Sequence, residues 1–396
     1  MVSRELNPAS YSSRLTCNVC NRWLGSPFFS VRGGASVFSD GTLCQYPRDL
    51  YFCDRCGHCR SNVLPNLDSF YADEYKFLVQ SEAEDQLYCA KDGQLVFRQE
   101  HQLTTLLNKL RIPRGAQVLD FGCGKGIFLN MLAMRRPDII PHFFDVSDVY
   151  VPFWEKLASL EQWAVGKLNP LWAERFDIVL SLFSLEHVAQ PLEILQSIHG
   201  LLKPNGTIYC IVPNSYGIYI ADFLVAEHVN LFSEASLGYL FGQCGFEITQ
   251  IDATSHDVAF IIMARKGAPE ARLAESRAIA SVRQKAEDIG LFWTQATGRV
   301  QMFEREHWGR KSAIYGAGIV GAFIFSCLQE TSVLQCFIDQ NPHKQQRKLM
   351  GKPIVSPSQL GSDIQLVYVG LNPAMSVAAL QSIREWKHRN VEYFHL

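Results

Sequence analysis

At 396 residues, 47% of them hydrophobic, the chain is long enough for two or three domains with sizeable cores, and its composition excludes disorder as the default state. Its 37 basic residues are balanced by 39 acidic ones, for a net charge of −2, which removes any bulk electrostatic case for a nucleic-acid partner. No run of 18 apolar residues occurs, and the opening MVSRELNPASYSSR has no apolar core of the secretory kind, so a cytoplasmic protein without a membrane partner is expected.

The first segment, residues 1–65, holds six of the twelve cysteines, four of them as Cys17-x2-Cys20 and Cys53-x2-Cys56 with 32 residues between the pairs. Twelve cysteines in a cytosolic chain point to thiols or metal ligands rather than disulfides. A C-x-x-C on a tight turn aims two thiolates at one ion, and two such turns complete a closed four-cysteine zinc site. Cys44, His58 and Cys59 leave the ligand set open, with Cys59 able to replace Cys56 in a C-x2-C-x2-C run. Buried free thiols or a redox pair are the other reading. Four protein ligands leave no open position, so the zinc is assigned a structural role.

Residues 66–112 read as a helical linker. The polar, aromatic stretch LDSFYADEYKFLVQSEAEDQLY is read as helical in part. HQLTTLLNKL follows with leucines at helical spacing, ending before Ile112-Pro113. Over residues 113–267 strand-like runs (AQVLDFG, PHFFDV, FDIVLSLF, GTIYCIVPN, FEITQIDAT, VAFIIMARK) alternate with helical ones, the pattern of an α/β domain with a mostly parallel sheet. Residues 268–309, rich in Ala, Glu and Arg, read as a helical connector. Residues 310–396 form a second, smaller α/β unit with strands KSAIYG, LQCFIDQ, IQLVYVG and VEYFHL.

In VLDFGCGKGIFL, Asp120 closes a strand and Gly122, Gly124 and Gly126 form the turn into a helix. Glycine suits a turn where the backbone must approach a ligand without Cβ atoms in the way. Asp145, 19 residues after Gly126 at the end of the next strand, can accept both ribose hydroxyls of an adenosine cofactor. A nicotinamide cofactor favours G-x-G-x-x-G, whereas this loop is G-x-G-x-G. The loop resembles motif I of the class I S-adenosylmethionine-dependent methyltransferases. FDIVLSLFSLEHV, LLKPNGTIYCIVPN and AEHVNLFSEASLGYLFGQCGF are similar to later parts of that domain, so the resemblance covers residues 113–265 in order. It implies a Rossmann-like fold and S-adenosylmethionine as methyl donor. The acidic or amide residue that usually lies near the adenine has no counterpart in LEQWAVGKLN, where Trp163 offers a stacking surface instead.

A cysteine-knuckle segment in front of such a domain, with a Rossmann-like unit behind it, resembles the three-domain C-methyltransferases of deoxysugar biosynthesis. Those enzymes act on a dTDP-linked 4-keto-6-deoxysugar. LDSFYADEY is similar to that family's tyrosine-containing link, and YGAGIVG with FIDQNPHKQQRKLMGKPIVSP to its C-terminal unit. The resemblance implies a small-molecule partner, a nucleotide-linked sugar, and gives the histidine of Glu227-His228-Val229 the role of base. Methylating carbon requires removal of a proton next to a ketone, and histidine titrates near operating pH. Glu227 would orient or charge-stabilise His228. His187, in SLEHVAQP, is a candidate substrate contact. Val225 stands where the sugar enzymes carry tyrosine, and Asn230 and Leu231 replace an aromatic pair, which bears on the acceptor rather than on the methyl donor. The alternatives are an O-methyltransferase, in which His228 or His187 deprotonates a hydroxyl, and a zinc-bearing scaffold with an inert methyltransferase domain.

A second glycine turn, Gly316-x-Gly318-x-x-Gly321, is followed by Asp339 18 residues later. Taken alone this is a dinucleotide fingerprint. The unit has only about 86 residues, half a dinucleotide fold, and offers only His343 and Lys344 as candidate acid–base groups. The resemblance implies instead a part that helps to bind or enclose the nucleotide sugar.

Overall fold

The computed structural model describes residues 15–31, 34–65, 67, 70, 71, 84–91, 94–381, 383, 386 and 389–396. Most of the tyrosine-containing link, together with residues 1–14, lies outside the described residues.

The described residues build three sheets of four or more strands. The central one has seven, in the spatial order Trp163–Val165, Ile140–Asp145, Gln117–Phe121, Phe176–Leu182, Leu202–Pro213, Ala259–Lys266 and Phe246–Asp252. The first five are parallel; Ala259–Lys266 runs antiparallel to Leu202–Pro213 and pairs antiparallel with Phe246–Asp252. Alternate residues of the central strands feed opposite cores, as the two-residue period of a strand requires. Leu119, Val179, Ile208 and Val212 pack into one cluster with Phe232 and Leu240, while Val118, Leu180 and Ile211 pack into another with Leu129 and Trp154. Burial on both faces explains why these strands read as continuous apolar runs. The spatial order reverses between Gln117–Phe121 and Phe176–Leu182, so the loops leaving their carboxyl ends diverge and open a crevice.

The N-terminal sheet is antiparallel and takes its fourth strand from far away. Phe29–Val31, Arg48–Phe52 and Cys59–Ser61 are completed by Asn230–Leu231, so a boundary at residue 65 does not isolate this sheet. Buried Arg48 donates hydrogen bonds to the carbonyls of Phe223 (3.0 Å), Ala226 (3.2 Å) and His228 (2.9 Å), and so pins the loop that carries His228. The expected helical linker is corrected in part. Leu87–Lys91 and Gln94–Phe97 form an antiparallel hairpin, and only Arg98–Lys109 is helical. Tyr88, Val96 and Phe97 favour extended backbone over helix.

The connector is one helix, Ser276–Glu306, and it does more than connect. Ile279, Ala286, Ile289, Trp293, Ala296 and Val300 recur at intervals of three, four or seven and form its buried stripe. That stripe shares a core with Phe29, Leu50 and Phe223 on one side and Val320 and Phe323 on the other. The C-terminal sheet orders Lys348–Leu349, Lys352–Val355, Leu334–Ile338, Ser312–Tyr315, Leu366–Val369 and Glu392–His395, all parallel except the first. It repeats the reversal of strand order beside its own glycine turn. Among the described residues no helix is long and apolar enough to cross a membrane.

Candidate functional site

The four cysteines of the two knuckles meet. Each pair flanks a tight turn: Asn21 N–H donates to Cys17 O (2.8 Å) and Gly57 N–H to Cys53 O (2.9 Å). The Sγ atoms of Cys17, Cys20, Cys53 and Cys56 are buried within 4.8 Å of one another, with Cys17–Cys56 at 3.7 Å and Cys20–Cys53 at 3.4 Å. Tetrahedral coordination with Zn–S bonds of ~2.3 Å spaces sulfurs about 3.8 Å apart, so the donor set fits that ion. Cys59 packs with Phe223 and Leu231, Cys44 with Leu64 and Val229, and the His58 ring lies against Phe232 and Asn230 (3.2 Å), which leaves all three outside the quartet. Asn18, inside the first knuckle, donates to Asn230 Oδ1 (2.7 Å) and Ala189 O (3.0 Å). Asn230 in turn donates to Val188 O (2.7 Å) and Leu185 O (3.1 Å). The amide at position 230 thus braces the loop that carries His187, a role an aromatic side chain could not fill.

The crevice at the strand-order reversal is part of a cavity of about 1290 Å³. Asp120, Gly122, Gly124 and Asp145 line it. Asp120 is 2% exposed and its Oδ1 has no hydrogen-bond partner among the described residues; burial, with the nearby Asp145 carboxylate, pushes its pKa up to about 7. Asp145 accepts the N–H groups of Gly124 (2.8 Å) and Ser147 (3.2 Å). Gly124 adopts φ +52°, and a Cβ there would meet nothing closer than Tyr150 at 3.9 Å: the space beside it is open to a ligand. An orphaned carboxylate oxygen, a bare backbone turn and a second carboxylate suit a polar adenosine-type group. Gly126 differs. It does not line the cavity; at φ +72° its missing Cβ would lie 2.7 Å from the Phe143 ring, so it serves the packing of helix Ile127–Arg135 on strand Ile140–Asp145. Trp163 also lies away from the cavity lining, packed against Trp154 (6.1 Å). Replacing Asp145 by alanine should weaken S-adenosylmethionine binding by about 1.5–3 kcal/mol, the cost of a charged hydrogen bond. Calorimetry checks this, and unchanged affinity would move the ribose contact to Asp148.

On the facing wall Glu186, His187 and His228 come together from the turn Leu185–His187 and the loop before Asn230–Leu231. The His187 and His228 rings stand edge to face at 4.7 Å, and the Tyr71 hydroxyl lies 2.7 Å from His187 Nδ1. Burial, then the neighbouring His228, holds the His187 pKa well below its usual value. The orienting group of His228 is not Glu227. His228 Nδ1 bonds to Asp222, whose other oxygen accepts the Ser215 hydroxyl. Glu227 turns away, accepts the Ser39 N–H (2.7 Å) and does not line the cavity, reaching His228 only through its field. Burial alone would lower the His228 pKa, but the Asp222 charge and hydrogen bond outweigh it and the pKa is raised. Sequence reasoning missed Asp222. The signal available was an acid inside the apolar run IADFLVA, which cannot be buried without a partner.

The C-terminal unit closes the cavity on a third side. Gly316, Gly318, Asp339 and Lys344 line it. Asp339 accepts the Ala317 N–H (3.0 Å) as Asp145 accepts that of Gly124, and Lys344 Nζ donates to Ala317 O (2.8 Å).

Residues 96–251 match a family model described as a methyltransferase domain. A ubiquinone biosynthesis O-methyltransferase of Histophilus somni is 34% identical over 126 residues, which cover 28% of this chain and 52% of that protein. Its namesake in Azotobacter vinelandii is 32% identical over 121 residues, covering 29% and 52%. The chain therefore spans about half the length of the curated relatives it matches. A solved S-adenosylmethionine-dependent methyltransferase from Aquifex aeolicus is 22% identical and aligns with 41% of this chain and 89% of its own, with a TM-score of 0.35.

Proposed function

We propose that the chain is an S-adenosylmethionine-dependent methyltransferase that methylates a carbon next to the ketone of a nucleotide-linked deoxysugar. The Asp222–His228 pair carries the reading: a buried, oriented imidazole on the wall of the cavity that the glycine turn also lines. When bound, the donor supplies an electrophilic methyl group on a sulfonium centre. Asp120, the backbone of Gly122 and Gly124, and Asp145 would hold it.

The rest is the work of the chain's own residues. With Nδ1 taken by Asp222, Nε2 of His228 is the nitrogen left to remove a carbon-bound proton, and Asp222 stabilises the imidazolium that results. His228 must be neutral to act, so its raised pKa predicts activity that is present above that pKa and lost as pH falls through it. The polar turn of the C-terminal unit, with Asp339 and Lys344, suits the nucleotide part of the acceptor. The cysteine quartet would hold a structural zinc that braces the catalytic loops from outside the cavity.

A second reading, methyl transfer to oxygen, draws on the names of the curated relatives. There His228 would deprotonate a hydroxyl. Incubation with labelled S-adenosylmethionine and a panel of dTDP-, GDP- and CDP-linked keto sugars separates the two readings by the position of the methyl group. An inert scaffold would bind no donor at all.

A further inference from the structure

We propose that Glu186 is a further catalytic residue: as a neutral carboxylic acid it donates a hydrogen bond to the acceptor's carbonyl oxygen and carries the oxyanion formed when His228 removes the neighbouring proton. The inference rests on the reading of His228 as the base of a carbon acid, and it names the group that such a base requires on the other side of the carbonyl.

Glu186 is 1% exposed yet lines the cavity, and among the described residues neither of its carboxylate oxygens has a hydrogen-bond partner. Its carboxylate, a ring nitrogen of His187 and a ring nitrogen of His228 lie within 4.8 Å of one another. An ionised carboxylate buried without donors is costly, and the cheaper state keeps the proton. A buried carboxyl that stays protonated is a hydrogen-bond donor, and one held close to neutrality in an apolar site can serve an oxyanion. Burial raises the Glu186 pKa to about 7, against the pull of His228, of its own backbone N–H and of Arg98, and with a push from Asp222. The other ionisable neighbours are His187 on the same turn (Nε2 4.0 Å from Glu186 Oε1) and the Cys210 thiol of strand Leu202–Pro213.

The chemistry balances on these two residues. The C–H bond next to the ketone breaks and its proton goes to His228 Nε2. The electron pair forms a carbon–carbon double bond, and the carbonyl π pair moves to oxygen, where the Glu186 hydroxyl donates to it. The nucleophilic carbon then takes the methyl group from the sulfonium, whose C–S pair stays on sulfur, the ketone re-forms, and His228 releases its proton to solvent. A hydrogen bond that strengthens as charge builds on oxygen stabilises the transition state more than the ground state.

The test compares Glu186→Ala with Glu186→Gln in the full-length protein, after calorimetry has shown that both bind S-adenosylmethionine. Two readouts are needed: turnover on a dTDP-linked keto sugar as a function of pH, and exchange of its α-hydrogen in deuterated water with S-adenosylhomocysteine in place of the donor. Glu186→Ala should lose about 10²–10³-fold in both, as removal of an oxyanion donor does elsewhere. Glu186→Gln keeps a donor and should retain most of the rate. Wild-type turnover, which rises as His228 loses its proton, should fall again as pH rises through the Glu186 pKa, giving a profile bounded on both sides, while the amide variant, which cannot ionise, should keep the acidic limb and not show the alkaline decline. Unchanged rates in Glu186→Ala, or Glu186→Gln as impaired as the alanine variant, would overturn the proposal and leave the base reading intact. A second tightly bound divalent metal, lost on mutation, would also overturn it by making the carboxylate a ligand. A wild-type enzyme that methylates only hydroxyl groups would remove the base reading, and the oxyanion role with it.

Discussion

His228→Ala is expected to reduce turnover by about 10²–10⁴-fold while S-adenosylmethionine still binds, because a positioned base contributes that much and the glycine turn lies on a different set of loops. Single-turnover measurement with the labelled donor, beside calorimetric affinity, separates the two effects. The loop is held independently of the imidazole: Arg48 grips the His228 carbonyl and two neighbouring ones, so truncating the ring leaves the backbone in place. Asp222→Asn is the informative companion. It removes the charge that raises the imidazole pKa, so the acidic limb of the rate profile should shift to lower pH as the rate falls. Near-normal turnover in His228→Ala would move the base elsewhere, with His187 first in line.

Cys53→Ser is expected to abolish the ordered N-terminal segment and stoichiometric zinc together. A four-cysteine ion contributes its binding free energy directly to folding, about 10–16 kcal/mol in small zinc peptides at neutral pH, far more than a single packing change. The damage should reach the cavity wall that carries His187 and His228. The first knuckle holds Asn230 through Asn18, Asn230 holds the loop on both sides of His187, and the sheet beside the second knuckle is completed by Asn230–Leu231. Chelated or mutant protein should therefore lose methyl transfer more completely than donor binding. Elemental analysis and circular dichroism check the claim, and metal-free wild-type protein made under zinc-replete, reducing conditions would contradict it.

What could be read in the sequence follows from what each feature depends on. The central strands were legible because both faces are buried, which leaves long apolar runs such as FDIVLSLF. The glycine turn and Asp145 were legible because the local backbone imposes them. Long-range pairings were not. Glu227 turns toward Ser39, and Asn230 pairs with Arg60 to complete a sheet begun at Phe29; even Asp222, close in sequence, meets His228 only because the short loop between them folds back. Adjacency in sequence made Glu227 the natural partner of His228, but only His228 lines the cavity while Glu227 turns away to Ser39. Gly126 and Trp163 were assigned to the donor by position, and the packing of Phe143 and Trp154 assigns them to the core instead.

The central claim is that the methyl group ends on carbon. Protein with its zinc intact, supplied with methyl-¹³C-labelled S-adenosylmethionine and a dTDP-linked 4-keto-6-deoxysugar, gives a product whose label can be placed by carbon NMR. The account predicts a carbon-bound methyl next to the ketone, formed with loss of the hydrogen that wild-type enzyme exchanges with deuterated water. An oxygen-bound methyl, or efficient methylation of the corresponding ketone-free sugar, would contradict it and assign the Asp222–His228 pair to deprotonating a hydroxyl.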